Sequence, residues 1–231
     1  MSKGVLGFGD SFMWGESIYF YSNLENLPFG NVHSYNHELI TQGMWEYKNR
    51  YRYINLVSEN YDTWNTTVST NGSNNQSNLD ILNKIYLNDV IEHPQYNFKL
   101  NINDYSLLVF QFTSIYRGDT NMDDMLLRLD NIFNNLESKN IKVCTLVWMP
   151  EFFNNKIYQD RFLDRHVDIC VDEVTVSCFE DVIHNHRLNI TVKSDFEKDN
   201  LQINDIHLNH KGNRCFADSI IKKLQQDNFK I

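Results

Sequence analysis

Three apolar runs constrain what this chain can fold into: Val5 to Phe8, Tyr105 to Phe112 with Leu107-Leu108-Val109-Phe110 at its centre, and Lys142 to Val147. A strand with one wet face alternates apolar and polar residues, whereas a strand covered on both faces is apolar along its length. Between the runs lie segments of helical periodicity. Leu79, Ile81, Leu82, Ile85 and Tyr86 give Asn78 to about Ile91 an apolar face. Met122 to Leu136 and Lys211 to Gln226 repeat the pattern, and His37 to Tyr51 and Val176 to His186 are further helical candidates. Buried strands alternating with amphipathic helices predict an α/β chain, a three-layer α/β/α sandwich around a central, mostly parallel sheet. Asn65 to Ser69 and a weaker Val167 to Val171 bring the expected strand count to five. No linker, repeat or low-complexity block divides residues 1–231, so one domain is expected, long enough for a sizeable core.

In parallel sheets of this kind the working residues lie beyond the carboxyl ends of the strands. The first such loop reads Gly9-Asp10-Ser11, a small polar turn where a core strand ends, which holds a serine on the sheet and presents it outward. The tripeptide alone reads first as a turn with a helix N-cap. At the far end stands Asn204-Asp205-Ile206-His207-Leu208-Asn209-His210-Lys211-Gly212, with an acid and a histidine just before the last helix. A serine hydroxyl is a weak nucleophile until a base takes its proton, and a third group steadies that base. Together the two ends offer Ser11, His207 and Asp205 as a complete set.

Gly9-Asp10-Ser11, with Gly15 and Ser17 behind it, resembles the first block of the GDSL/SGNH hydrolases. Asn204 to Asn209 with Gly212 resembles their last block, and Gly72 in Thr70-Asn71-Gly72-Ser73-Asn74 is similar to the glycine of their second. The blocks keep the family's order across nearly the whole chain. The resemblance implies a flavodoxin-like fold and a serine esterase in which Ser11 is the nucleophile and His207 the base. It further implies an oxyanion hole made by the Ser11 N–H, the Gly72 N–H and a third donor, in the family a third-block asparagine. Here that block reads Phe112-Thr113-Ser114-Ile115-Tyr116-Arg117, and Ser114 stands where the asparagine is expected. Thr113 or Ser114 by a hydroxyl, or Asn74 or Asn75 from the neighbouring loop, are the alternatives. The family's spacing puts Asn204 at the acid position, so Asp205 is the expected carboxylate; a Ser–His dyad oriented by a backbone carbonyl is the alternative. The implied substrate is a small acyl ester, first an O-acetyl group on a carbohydrate. A catalytically weak or inactive binding module on the same fold is the competing expectation. A Thr-Ser-Xaa-Xaa-Arg third block with a Gly-Ser-Asn second block resembles phage-encoded members, which implies a viral origin; virion or homo-oligomer association is a further expectation.

A net charge of -9 with no run of Lys or Arg argues against nucleic-acid binding. No stretch is long and apolar enough to span a bilayer, and Met1-Ser2-Lys3-Gly4 has no apolar leader, so a cytoplasmic or virion-associated protein is expected. Cys144, Cys170, Cys178 and Cys215 read as buried free thiols. His184-Asn185-His186 lacks a third ligand motif, so no metal and no cofactor are expected. His210 is expected to be a solvated first-turn residue, Asp10 a structural acceptor in its own loop, and Arg117 a surface ion pair or an anion clamp. The aromatic segment Ile18 to Tyr35 reads as a long loop beside Ser11.

Overall fold

The computed structural model describes residues 3–14, 21, 42–68, 73–92, 98–117, 121–185, 187–197 and 206–230. Chain order among them is β1 (Gly4–Phe8), α1 (Ser11–Trp14), α2 (Gln42–Tyr51), α3 (Tyr53–Asn60), β2 (Asn65–Thr67) and α4 (Asn75–Asn88). The hairpin strands β3 (Val90–Glu92) and β4 (Lys99–Asn101) precede β5 (Tyr105–Phe112), α5 (Met122–Ser138) and β6 (Lys142–Val147). Then come α6 (Glu151–Asn154), α7 (Lys156–Arg161), a hairpin of β7 (Ile169–Val171) and β8 (Val174–Val176), α8 (Phe179–Ile183), α9 (Val192–Glu197) and α10 (His210–Gln226).

The central sheet has the order β2-β1-β5-β6, and every neighbouring pair is parallel. All residues of β1 and β5 are buried, as their unbroken apolar character requires. Strand parity divides the core. Leu6, Phe8, Leu108, Phe110 and Phe112 face α4 and α5. Val5, Leu107 and Val109 face α3 and α10. Each fully buried Leu, Val or Phe contributes roughly 1.5–3 kcal/mol of transfer free energy, so both helix layers are held by the same mechanism. The result is the expected α/β architecture with helices on both faces of a parallel sheet.

The fifth strand is corrected. Among the described residues the central sheet has four strands, and β7 pairs antiparallel with β8 instead. Besides β5, all that runs along β6 among the described residues is a single parallel bridge between Thr145 and His166, made by Thr145 N–H to Arg165 O at 2.8 Å and Val167 N–H to Thr145 O at 2.9 Å. Two local forces divert the segment. Arg165 is pulled towards α5 by Asp130 at 3.0 Å and Glu137 at 2.7 Å. Asp172 then takes a positive φ of 54°, the conformation a tight hairpin turn requires.

Boundaries shifted where caps were overlooked. α4 begins at Asn75 rather than Asn78 because Asn74 caps it: Asn74 Oδ1 accepts the Ser77 N–H at 2.8 Å, and Ser77 Oγ accepts the Asn74 N–H at 3.1 Å. Helix α3 and the β3–β4 hairpin were not foreseen, and Val176 to His186 reduces to β8's last residue and the short α8. The four cysteines are free; Cys144 and Cys178 are buried as expected, while Cys170 and Cys215 are half-buried. No helix among the described residues is long and apolar enough to cross a membrane.

Candidate active site

Ser11 opens α1 directly after the Gly9-Asp10 turn that ends β1. His207 Nε2 lies 2.8 Å from Ser11 Oγ, a contact between residues 196 apart in sequence. Both are nearly enclosed, at 3% and 9% exposure. A neutral imidazole holding its proton on Nδ1 accepts the serine proton at Nε2 in this geometry. Phe12, next to the serine, lays its ring against the imidazole with centroids 4.6 Å apart. Trp148 at 4.6 Å and Phe179 at 5.6 Å wedge Phe12 in turn, so aromatic packing fixes the plane of the histidine.

The backbone around His207 is clamped as well. Val192 N–H donates to His207 O at 2.8 Å, and Asn209 N–H to Ile190 O at 2.9 Å. Asn209 caps α10, its Oδ1 accepting the Gly212 N–H at 2.9 Å and its Nδ2 donating to Asp195 Oδ1 at 2.9 Å. Gly212 is required here. A Cβ at that position would stand 2.4 Å from Ile190 O, the carbonyl that holds Asn209.

Beneath the serine, Asp10 is 0% exposed. Its Oδ1 accepts the Phe12 N–H at 3.1 Å and Gln111 Nε2 at 2.6 Å, and its Oδ2 meets Arg117 Nη1 at 3.3 Å. Burial pushes the Asp10 carboxyl above the usual carboxylate range; Arg117 opposes this most, then the Phe12 and Gln111 hydrogen bonds and the nearby His207. Asp10 is thus an acceptor in its own loop, as expected, and also the partner of Arg117, whose side chain is 37% exposed. Gly9 permits the arrangement, because a Cβ there would come within 2.9 Å of Gln111 Oε1.

The oxyanion candidates are placed differently from one another. Register sets Phe8 opposite Phe110, so the residues that follow β1 and β5 are neighbours. Asn75 is 0% exposed and its amide brackets the Thr113 backbone: Oδ1 accepts the Thr113 N–H at 2.7 Å and Nδ2 donates to Thr113 O at 3.0 Å. Thr113 is also 0% exposed, with a buried hydroxyl that has no hydrogen-bond partner among the described residues. A substrate oxygen must approach a donor to about 2.8 Å, which needs open surface on that donor. Of the three residues only Ser114 is not fully buried. Its Oγ contacts Met149 Sδ at 3.4 Å, a weak acceptor. Asn74 is occupied as the α4 cap and donates Nδ2 to Arg117 O at 2.9 Å. Gly72 and Asp205, with Asn204, Gly15 and Ser17, lie outside the described residues.

His210 is corrected from a solvated residue to a packed one. Its Nε2 lies 2.8 Å from Tyr47 Oη, and the rings of Tyr21, Tyr47 and Tyr51 surround it at 4.6, 5.6 and 4.7 Å. Burial lowers its pKa, with Asp195 opposing. Tyr47 and Tyr51 share one face of α2 by their spacing, a signal that pointed to a buried partner. Tyr21, whose hydroxyl donates to Asp195 Oδ2, is the described part of the aromatic segment Ile18 to Tyr35. Gln111 and Phe12 were missed. For Gln111 the signal was a lone amide inside an apolar strand. Among the described residues no three His, Cys, Asp or Glu side chains cluster as metal ligands; His184 caps α8, and His186 lies outside the described residues.

No family model matches the chain. Over 218 residues it is 26% identical to the DNA-directed RNA polymerase subunit beta of Eimeria tenella, a match covering 89% of this chain but spanning only 20% of that protein. Among solved structures, TesA superposes with a TM-score of 0.51 at 10% identity, covering 97% of this chain and 99% of that one. The chain is similar in fold to TesA. The psychrotrophic esterase EstA from Pseudoalteromonas sp. gives a TM-score of 0.48 at 13% identity over 98% of both chains. A carbohydrate esterase gives 0.44 at 12% identity, covering 97% of this chain and 65% of that one.

Proposed function

We propose that this chain is a single-domain serine ester hydrolase of the SGNH type. One observation carries the reading: His207 Nε2 at 2.8 Å from the hydroxyl of Ser11, at the carboxyl end of a parallel sheet. In the proposed reaction Ser11 Oγ attacks the ester carbonyl while its proton passes to His207 Nε2. The tetrahedral oxyanion is met by the Ser11 and Gly72 N–H groups and by the Ser114 hydroxyl. Collapse breaks the carbon–oxygen bond, and the leaving alkoxide takes the proton from His207. Water then attacks the acyl-enzyme, giving its proton to the same nitrogen, and Ser11 recovers that proton as the acid departs. Asp205 is the carboxylate proposed to orient His207.

The proposed substrate is a small acyl ester, and an O-acetyl group on a carbohydrate suits it best. Tyr116, 77% exposed on the turn after β5, offers an aromatic face of the kind that stacks on sugars. Hydrolysis of p-nitrophenyl acetate by the wild type and by Ser11→Ala tests the proposal, and equal rates would sink it. The competing reading, a binding module with an idle site, draws on the inward turn of Thr113 and Asn75. It predicts retained glycan binding with no acyl-enzyme in either protein.

A further inference from the structure

We infer that Gln111 and Tyr53 are positioning residues that tie the nucleophile half of the site to the base half. The catalytic meaning rests on the hydrolase proposal, but the geometry does not. Two sets of buried hydrogen bonds, joined through the covalent body of Tyr53, carry the inference. Asp10 directly precedes Ser11, and its Oδ1 accepts from Gln111 Nε2 at 2.6 Å and from the N–H of Phe12, the residue after Ser11, at 3.1 Å. Gln111 Oε1 accepts the Tyr53 hydroxyl at 2.9 Å. The Tyr53 backbone N–H donates to Asn213 Oδ1 at 2.9 Å. Asn213 Nδ2 donates to Leu208 O at 3.2 Å and Asn209 O at 3.0 Å, the two residues that follow His207. Asp10, Gln111 and Tyr53 are 0% exposed and Asn213 is 1% exposed.

The residue types fit one direction of donation. A phenol donates to the amide oxygen, and the amide nitrogen donates to the carboxylate; an amide offers both without having to hold a proton. Burial holds the Tyr53 phenol well above its ordinary pKa, with Asp10 adding to the effect, so its proton stays in place. Strand parity turns Gln111 to the same side as Leu107 and Val109, where α3 and α10 pack. Since buried polar groups cannot exchange a lost partner for water, the chain has one arrangement at low cost, and that arrangement sets the spacing of the Ser11 turn from the His207 loop.

Removing one hydroxyl tests this. In Tyr53→Phe, NMR of the His207 imidazole nitrogens, assigned by their change in Ser11→Ala, is expected to show a displaced Nε2 resonance, with the His184 resonances unmoved. The rate on p-nitrophenyl acetate should fall on the order of 10-fold with KM unchanged, since a 1 Å misplacement costs about 10²-fold. Gln111→Glu keeps the acceptor for Tyr53 but needs a proton to serve Asp10. Its activity relative to the wild type should therefore fall as pH rises. His207 resonances unchanged in Tyr53→Phe, with only a lowered melting temperature, would overturn the inference. Equal hydrolysis by wild type and Ser11→Ala would overturn the hydrolase reading alone, because the NMR comparison still decides whether Tyr53 acts on His207.

Discussion

Replacing Gly212 by alanine sets two effects of opposite sign against each other. Gly212 sits in the first turn of α10, where alanine is the better helix former by about 0.8–1.0 kcal/mol. Propensity alone therefore predicts a more stable protein. The added Cβ, however, would lie 2.4 Å from Ile190 O and 3.0 Å from Leu208 Cδ2. An ordinary carbon–oxygen contact is about 3.3 Å or more, so the carbonyl or the helix must yield by roughly 0.9 Å. Overpacking of this kind costs typically 1–3 kcal/mol, and the obstacle is backbone rather than a flexible side-chain tip. The net expectation is a destabilisation of about 1 kcal/mol, read as a shift in the urea midpoint. The loss of activity should be out of proportion to it. Ile190 O holds Asn209, and the adjoining Val192 N–H holds His207 O, so the displacement reaches His207 directly. A rate loss of roughly 10- to 100-fold on p-nitrophenyl acetate follows from a shift near 1 Å. A Gly212→Ala protein that gains stability and keeps its rate would refute the reasoning.

Two further outcomes can be checked. Ser114→Ala should lower kcat by about 10²-fold and leave KM and the fold unchanged, since a lost oxyanion donor is worth roughly 2.7–4 kcal/mol and a hydroxyl falls at the weak end; an unaltered kcat would remove Ser114 from the oxyanion hole. His166, with Nδ1 3.1 Å from Tyr158 Oη, has its pKa lowered to about 4, burial being the main cause and Asp168 opposing it. The unfolded chain takes the proton first, so stability should fall as pH drops from about 6.5 towards 4, by about 2 kcal/mol at pH 5. Urea titrations at pH 7 and pH 5 check this, and His166→Gln should flatten the difference; identical pH slopes in both proteins would contradict it.

Much of the architecture was legible because burial on both faces leaves no freedom in composition. β5 was read to its last residue, and α5 and α10 were read nearly so, because their apolar residues recur at helical spacing. The pairing of Ser11 with His207 was legible from two short motifs and the rule that places function at the carboxyl ends of strands. What escaped depends on partners distant in sequence. α3 packs its apolar residues against α10, and the segment alone gives no clean stripe. The strand expected at Val167 to Val171 was lost to Arg165, whose attraction to Asp130 and Glu137 of α5 no local pattern shows. His210 looked solvated because helix starts usually are, and only the fold brings Tyr47 and Tyr51 to it.

The separation of 196 residues between Ser11 and His207 also makes the site a report on assembly. No local folding event can create it. The turn at Asn140, with its positive φ of 61°, lies between them in sequence, and both the β5–β6 pairing and the packing of α3 on α10 join the halves. A chain cut there would carry Ser11 on one fragment and His207 on the other. On the proposed mechanism ester hydrolysis would then switch on only when the fragments rejoin along β5–β6 and α3–α10, so that activity would gauge their reassembly.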